Sequence, residues 1–69
     1  MKEPQIGELW IHRRTGYTVI VKSLYTINAK AHREDADNSL TIVKTIRTRD
    51  QYELDEPIGM FTWEYKRLN

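Results

Sequence analysis

Residues 6–21 read IGELWIHRRTGYTVIV, and they predict a β-hairpin. Residues 9–12 alternate, with Leu9 and Ile11 on one side, which is the periodicity of a strand. Residues 13–16 follow as a polar turn, and Gly16 can take the positive φ that a tight hairpin loop commonly requires. This basic, aromatic corner is either a binding site or only a hairpin whose turn lies in water.

The next run, residues 17–26 (YTVIVKSLYT), is the strongest strand signal because β-branched and aromatic residues dominate it. Strict alternation places four residues on one face: Tyr17, Val19, Val21 and Tyr25. Ile20 and Leu24 fall on the other face. Because both faces carry apolar residues, we expect a curved strand that two parts of a barrel share.

Two further strands follow a polar turn predicted at residues 34–38. Residues 39–48 (SLTIVKTIRT) are again rich in β-formers, and Leu40, Ile42 and Ile46 share a face. Residues 51–54 form a short fourth run, which residues 55–57 (DEP) are expected to stop.

The pattern after Pro57 becomes helical, since Phe61, Tyr65 and Leu68 are spaced i, i+4, i+7. A short helix or 3₁₀ turn should therefore pack Phe61 and Tyr65 onto the sheet. The predicted fold is a small all-β domain: an SH3-like barrel or a bent antiparallel sheet of four to five strands with a C-terminal helical turn. Residues 1–5 are predicted to be an N-terminal tail, and residues 6–69 a single domain.

Length and composition exclude several classes of protein. A chain of 69 residues buries only about 60% of its unfolded surface, so its core is thin. The absence of cysteine excludes a disulfide scaffold and a thiolate metal site. No apolar leader follows Met1, and no segment approaches the roughly 20 apolar residues of a membrane span. We therefore expect a cytoplasmic protein without membrane contact.

Catalytic and metal-binding motifs are missing from the sequence. There is no G-x-S-x-G and no Gly-rich phosphate loop. Residues 32–34 (HRE) match the start of a zinc-deaminase motif, which needs a downstream P-C-x-x-C that this chain lacks. Residues 35–39 resemble the start of a calcium loop, but Leu40 stands where glycine is needed. We predict no enzyme activity, no cofactor and no metal.

The first binding hypothesis is a non-enzymatic module that docks on another protein. Its predicted contacts are Trp63, Tyr65, Arg13 and Arg14, because Trp, Tyr and Arg are enriched at interface hot spots. Trp63 lies off the helical face of Phe61 and Tyr65, so it is either partly exposed or folded beside the sheet edge. Acidic clusters accompany the basic groups, and a two-signed surface suits a protein partner.

The alternative hypothesis is a nucleic-acid-binding domain that uses a basic and aromatic face. Its predicted contacts are Arg13, Arg14, Lys44, Arg47 and Arg49, with Trp10 or Tyr17 stacking on bases. The net charge of only +1 means that such binding depends on a local patch. The competing interpretation makes Trp10 and Tyr17 part of the core. An exposed edge strand could also pair with a second copy to form a homodimer.

The order of these features resembles small bacterial and phage proteins of the DUF1653 type, which have an SH3-like barrel and unknown function. The first matching group is Gly7, Trp10, His12, Gly16, Tyr17 and Val19, and the second is Pro57, Ile58, Phe61 and Tyr65. The resemblance implies an SH3-like fold and assigns no activity. Small charged domains of this kind are also similar to phage and prophage accessory proteins.

Overall fold

The computed structural model describes residues 3–28 and 39–68 of the chain. These residues form five strands and one helix: β1 (Leu9–His12), β2 (Thr18–Asn28), β3 (Ser39–Arg47), β4 (Glu53–Pro57), α1 (Ile58–Glu64) and β5 (Tyr65–Arg67). Every strand pair is antiparallel, in the order β4-β3-β2-β1-β5. The predicted small all-β fold with a C-terminal helical turn is confirmed.

The sheet is bent, because α1 joins its two edge strands. In a flat sheet of five strands, four spacings of about 4.8 Å would separate the two edge strands by about 19 Å. A helix of seven residues spans only about 10 Å. The sheet must therefore curve to bring the end of β4 and the start of β5 to the two ends of α1. In the described ranges β4 and β5 do not pair with each other, so the sheet stays open at this seam.

The β1–β2 hairpin forms as predicted. The His12 N–H donates to the Tyr17 carbonyl at 2.8 Å, and the Gly16 N–H donates to the His12 carbonyl at 3.0 Å. Gly16 has a φ of 79°, which a side chain would strain. The turn therefore depends on this glycine, and it fixes where Arg13 and Arg14 leave the sheet.

A β-bulge at Lys22 corrects the predicted faces of β2. Val21 pairs with Thr45, but Ser23 pairs with Lys44, so Lys22 is an extra residue on β2. Alternation restarts one residue late beyond this point. Leu24 consequently packs against the core, whereas Tyr25, predicted to share a face with Val21, is 39% exposed on the opposite face.

The core lies between the concave face of the sheet and α1. Its buried cluster is Trp10, Val19, Val21, Val43, Phe61 and Tyr65, with Leu24 and Ile58 packed against it. The Phe61 ring sits 5.0 Å from that of Trp10 and 4.6 Å from that of Tyr65. Large aromatic side chains thus supply much of the buried area that so short a chain can assemble.

Several boundaries differ from the prediction. β4 begins at Glu53 and continues through Pro57. An edge strand tolerates proline, which has no backbone N–H to donate, because one side of the strand has no partner strand. The helix ends at Glu64, and Tyr65 starts β5, where pairing with His12 replaces the predicted helical continuation. In the predicted tail, Pro4 is buried.

Some predictions fall on residues that the structure does not describe. The turn at residues 34–38 and the rejected zinc motif at residues 32–34 lie outside the described ranges, and so does the rejected calcium motif at residues 35–39 except for its last residue. Within those ranges, no helix has the length and apolar character needed to cross a membrane.

Candidate functional site

Helix α1 presents one aromatic residue to the core and another to solvent. Phe61 is fully buried, and Trp63, two residues later, is 80% exposed. Met60, which is also on the outer side of the helix, is 54% exposed. The periodicity of the helix explains the contrast, because residues two apart point in nearly opposite directions. Trp63 is therefore exposed, as one of the two sequence-based interpretations proposed.

A cleft of about 700 Å³ lies between α1 and the β1–β2 turn. Its lining residues are His12, Arg13, Arg14, Thr62, Trp63 and Glu64. The Arg13 N–H donates to the Glu64 carbonyl at 2.8 Å and ties the turn to the end of α1. Three of the four residues predicted to contact a protein thus lie around one cleft.

The β1–β2 turn is stiffened from within by His12. Its Nδ1 accepts hydrogen bonds from the backbone N–H groups of Arg14 and Thr15, at 3.1 Å each. Because Nδ1 is an acceptor in both bonds, the neutral imidazole carries its proton on Nε2. The ring also packs edge-on against Tyr65, at 4.9 Å. His12 therefore has a positioning role, and the two arginine side chains project from a fixed backbone.

Tyr65, the fourth predicted protein contact, belongs to the core. It is 4% exposed, and its ring stacks on Phe61. Its burial agrees with the expectation that Tyr65 packs with Phe61 onto the sheet, although the side chain reaches the core from β5 and not from the helix. Tyr65 supports the cleft from below rather than lining it.

The residues of the predicted nucleic-acid face do not form one surface. Trp10 is 5% exposed, so its ring is not available for stacking on a base. Val43 and Thr45 are buried, and alternation places Lys44 between them on the opposite face of β3. Trp10 therefore takes the core position that the competing interpretation gave it, and Lys44 lies on a different face of the sheet.

Arg47 is engaged within the domain. Its guanidinium donates to both carboxylate oxygens of Asp50, at 2.9 and 2.7 Å. It also lies over the rings of Tyr17 and Tyr52, at 4.7 and 5.2 Å. The hydrogen bonds from Arg47 hold the pKa of Asp50 at about 2. Tyr17 is further covered by Arg49, at 5.8 Å. This cluster locks the β3–β4 turn and leaves neither Arg47 nor the covered face of Tyr17 free for a ligand.

Two carboxyl groups meet beside the cleft. Glu56, near the end of β4, is half-buried and hydrogen-bonds with Glu64, the last residue of α1. Burial, the hydrogen bond and the neighbouring negative charge raise the pKa of Glu56 to about 7. No sequence motif indicated this pair, because the bent sheet brings together residues eight positions apart.

No family model matches the chain, and no curated protein or solved structure does so either. The resemblance to the DUF1653 type stays a prediction. The described residues contain no group of three or more metal-ligating side chains close enough to hold an ion.

Proposed function

We propose that this domain is a non-enzymatic binding module that docks on another protein through the Trp63 cleft. The observation that carries the proposal is the 80% exposure of Trp63 at the rim of a cleft that Arg13 and Arg14 also line. A large exposed indole beside guanidinium groups has the composition of an interface hot spot. The fixed turn and the short helix hold these groups in place before a partner arrives, which lowers the entropic cost of binding.

Nucleic acid is the weaker candidate for this surface. A single strand is usually gripped by successive aromatic platforms along a basic groove. Here Trp10 is buried and Tyr17 lies under two guanidinium groups, so neither aromatic residue of the nucleic-acid hypothesis offers a free stacking surface. The exposed ring near the basic turn is Trp63, a residue of the protein-docking hypothesis. A single aromatic anchor at the rim of a cleft fits one inserted side chain better than a row of bases.

Affinity capture with matched variants tests the proposal. Tagged wild type, Trp63→Ala and Met60→Ala would be incubated with lysate, with circular dichroism confirming that each is folded. Met60 is the control because it is also exposed on α1 but does not line the cleft. We expect one protein to be retained by wild type and Met60→Ala, to resist nuclease, and to be lost with Trp63→Ala.

Two outcomes would contradict this function. Equal retention by Trp63→Ala and wild type would show that the cleft is not the docking site. Recovery of nuclease-sensitive nucleic acid, without an enriched protein, would favour the alternative.

A further inference from the structure

We infer that the segment that docks at this cleft is acidic, with Asp or Glu carboxylates flanking one apolar side chain. The inference rests on the proposed function and adds the chemistry of the partner. It follows from the distribution of the charges that the domain does not neutralise internally.

The charged side chains away from the β1–β2 turn are largely paired. Lys22 binds Glu53 at 3.0 Å, and Arg67 lies 3.3 Å from Glu8. Arg47 is held by Asp50 at 2.7 Å. Lys44, on the far face of the sheet, stands opposite Asp55 and acts electrostatically on Glu53.

Four exposed cations around the turn have no such partner. Within residues 3–28 and 39–68, no ion pair involves Arg13, Arg14, Arg49 or Lys66. Arg49 reaches this end of the sheet through its contact with Tyr17, the residue after Gly16. Within the described ranges, the cations without an ion-pair partner are therefore concentrated around this turn, where Glu64 is the one carboxylate that lines the first cleft. Such a field attracts and orients an anionic partner.

The cations and the indole belong to one continuous surface. A second cleft, of about 410 Å³, also borders the turn, and Lys66 lines it together with Arg13 and Arg14. Those two arginines also line the first cleft, beside Trp63. An extended segment that crosses the turn can place an apolar side chain against Trp63 and its carboxylates against the cations. Arginine suits this role because its planar guanidinium binds a carboxylate through two parallel hydrogen bonds.

Binding of synthetic peptides tests the partner chemistry directly. The first probe is a fluorescein-labelled peptide in which glutamates flank a central phenylalanine, and the second has glutamine in place of every glutamate. The third is a labelled single-stranded thymidine oligonucleotide. Fluorescence anisotropy would be measured with wild type, the double variant Arg13→Gln/Arg14→Gln, Lys66→Gln and Lys44→Gln.

Each exposed ion pair increases an affinity by up to about fivefold. Because more than one ion pair forms in the proposed complex, we expect wild type to bind the glutamate peptide about tenfold more tightly than the glutamine peptide. The double arginine variant should lose most of that preference, and Lys66→Gln part of it. Lys44→Gln, which removes a cation from the other face of the sheet, should bind like wild type. The preference should also shrink as salt rises from about 0.05 to about 0.5 M.

Equal affinity for the two peptides would overturn the inference, and so would tighter binding of the oligonucleotide than of the glutamate peptide. The variants also separate this inference from the proposed function. In the affinity capture described above, loss of the captured protein with Trp63→Ala but not with Arg13→Gln/Arg14→Gln would support docking at the cleft and contradict an acidic partner. If both variants keep it, the proposed function fails.

Discussion

Raising the pH from about 5 to about 8 should destabilise this domain through Glu56. Its carboxyl group is half-buried and shares a hydrogen bond with Glu64, and its pKa is raised from 4.5 to about 7. The folded state therefore binds this proton more tightly than the unfolded state does. The resulting stabilisation is fully present below pH 4.5 and is lost as the pH rises through about 7.

The size of the effect follows from the gap between the two pKa values. A gap from 4.5 to about 7 corresponds to about 3 kcal/mol at about 1.4 kcal/mol per pH unit. Glu56 is only half-buried, so solvent screens part of the interaction. We expect the free energy of unfolding to fall by about 1–2 kcal/mol between pH 5 and pH 8.

Urea denaturation of wild type and Glu56→Gln at both pH values provides the assay. Glutamine resembles the protonated acid in shape and hydrogen bonding but does not ionise, so the variant should match wild type near pH 5 and exceed it near pH 8. Other titrating groups are common to both proteins and cancel in the difference. The same pH dependence in wild type and Glu56→Gln would refute the reasoning. Glu64→Gln should reduce the effect without abolishing it, because burial, the first cause of the raised pKa, remains.

Three substitutions extend the test to packing and to the turn. Phe61→Ala should lower the free energy of unfolding by about 3–5 kcal/mol, because Phe61 is fully buried between Trp10 and Tyr65. A thermal transition close to that of wild type would contradict the central position of Phe61 in the core. Trp63→Ala, in the same helix, should change stability by less than about 0.5 kcal/mol, and a large drop in melting temperature would show that the indole packs in solution. Gly16→Ala should lower the free energy of unfolding by about 1 kcal/mol, because alanine is strained at a φ of 79°. No steric clash adds to this strain, since no atom lies within 4 Å of the added Cβ. An unchanged urea midpoint would mean that the turn adopts another conformation.

Most of the fold could be predicted because its signals are local. Alternation in residues 9–12 and the glycine of the turn predict the hairpin. The i, i+4 spacing of Phe61 and Tyr65 predicts that Phe61 lies on the inward face of α1. The bulge at Lys22 could not be predicted, because it depends on how two strands far apart in sequence align. Tyr65 fits the helical period as well as a strand, and pairing with His12 decides between them.

The candidate site was predicted in part for a related reason. Helical geometry places Trp63 off the face of Phe61, which left an exposed position and a position beside the sheet edge as alternatives. The structure has the exposed position. Which cations are neutralised does not follow from the sequence. Arg47 and Asp50 are close along the chain, but Glu8 meets Arg67 and Lys22 meets Glu53 only across the sheet. The basic residues alone therefore suggested a broader face than the one that the folded domain leaves free.

The exposure of Trp63 bears on function because this chain has few large side chains from which to build a core. Trp10, Phe61 and Tyr65 fill the core, Tyr17 and Tyr52 hold Arg47, and Tyr25 hydrogen-bonds Asp55. Trp63 is more exposed than any other large apolar side chain in the described part of the chain, and it adds almost nothing to the buried area. A domain with a thin core gains no stability from an indole in water, and it risks aggregation. The requirements of the fold therefore do not explain the placement of Trp63 beside two unpaired arginines, and this placement supports the binding role proposed above.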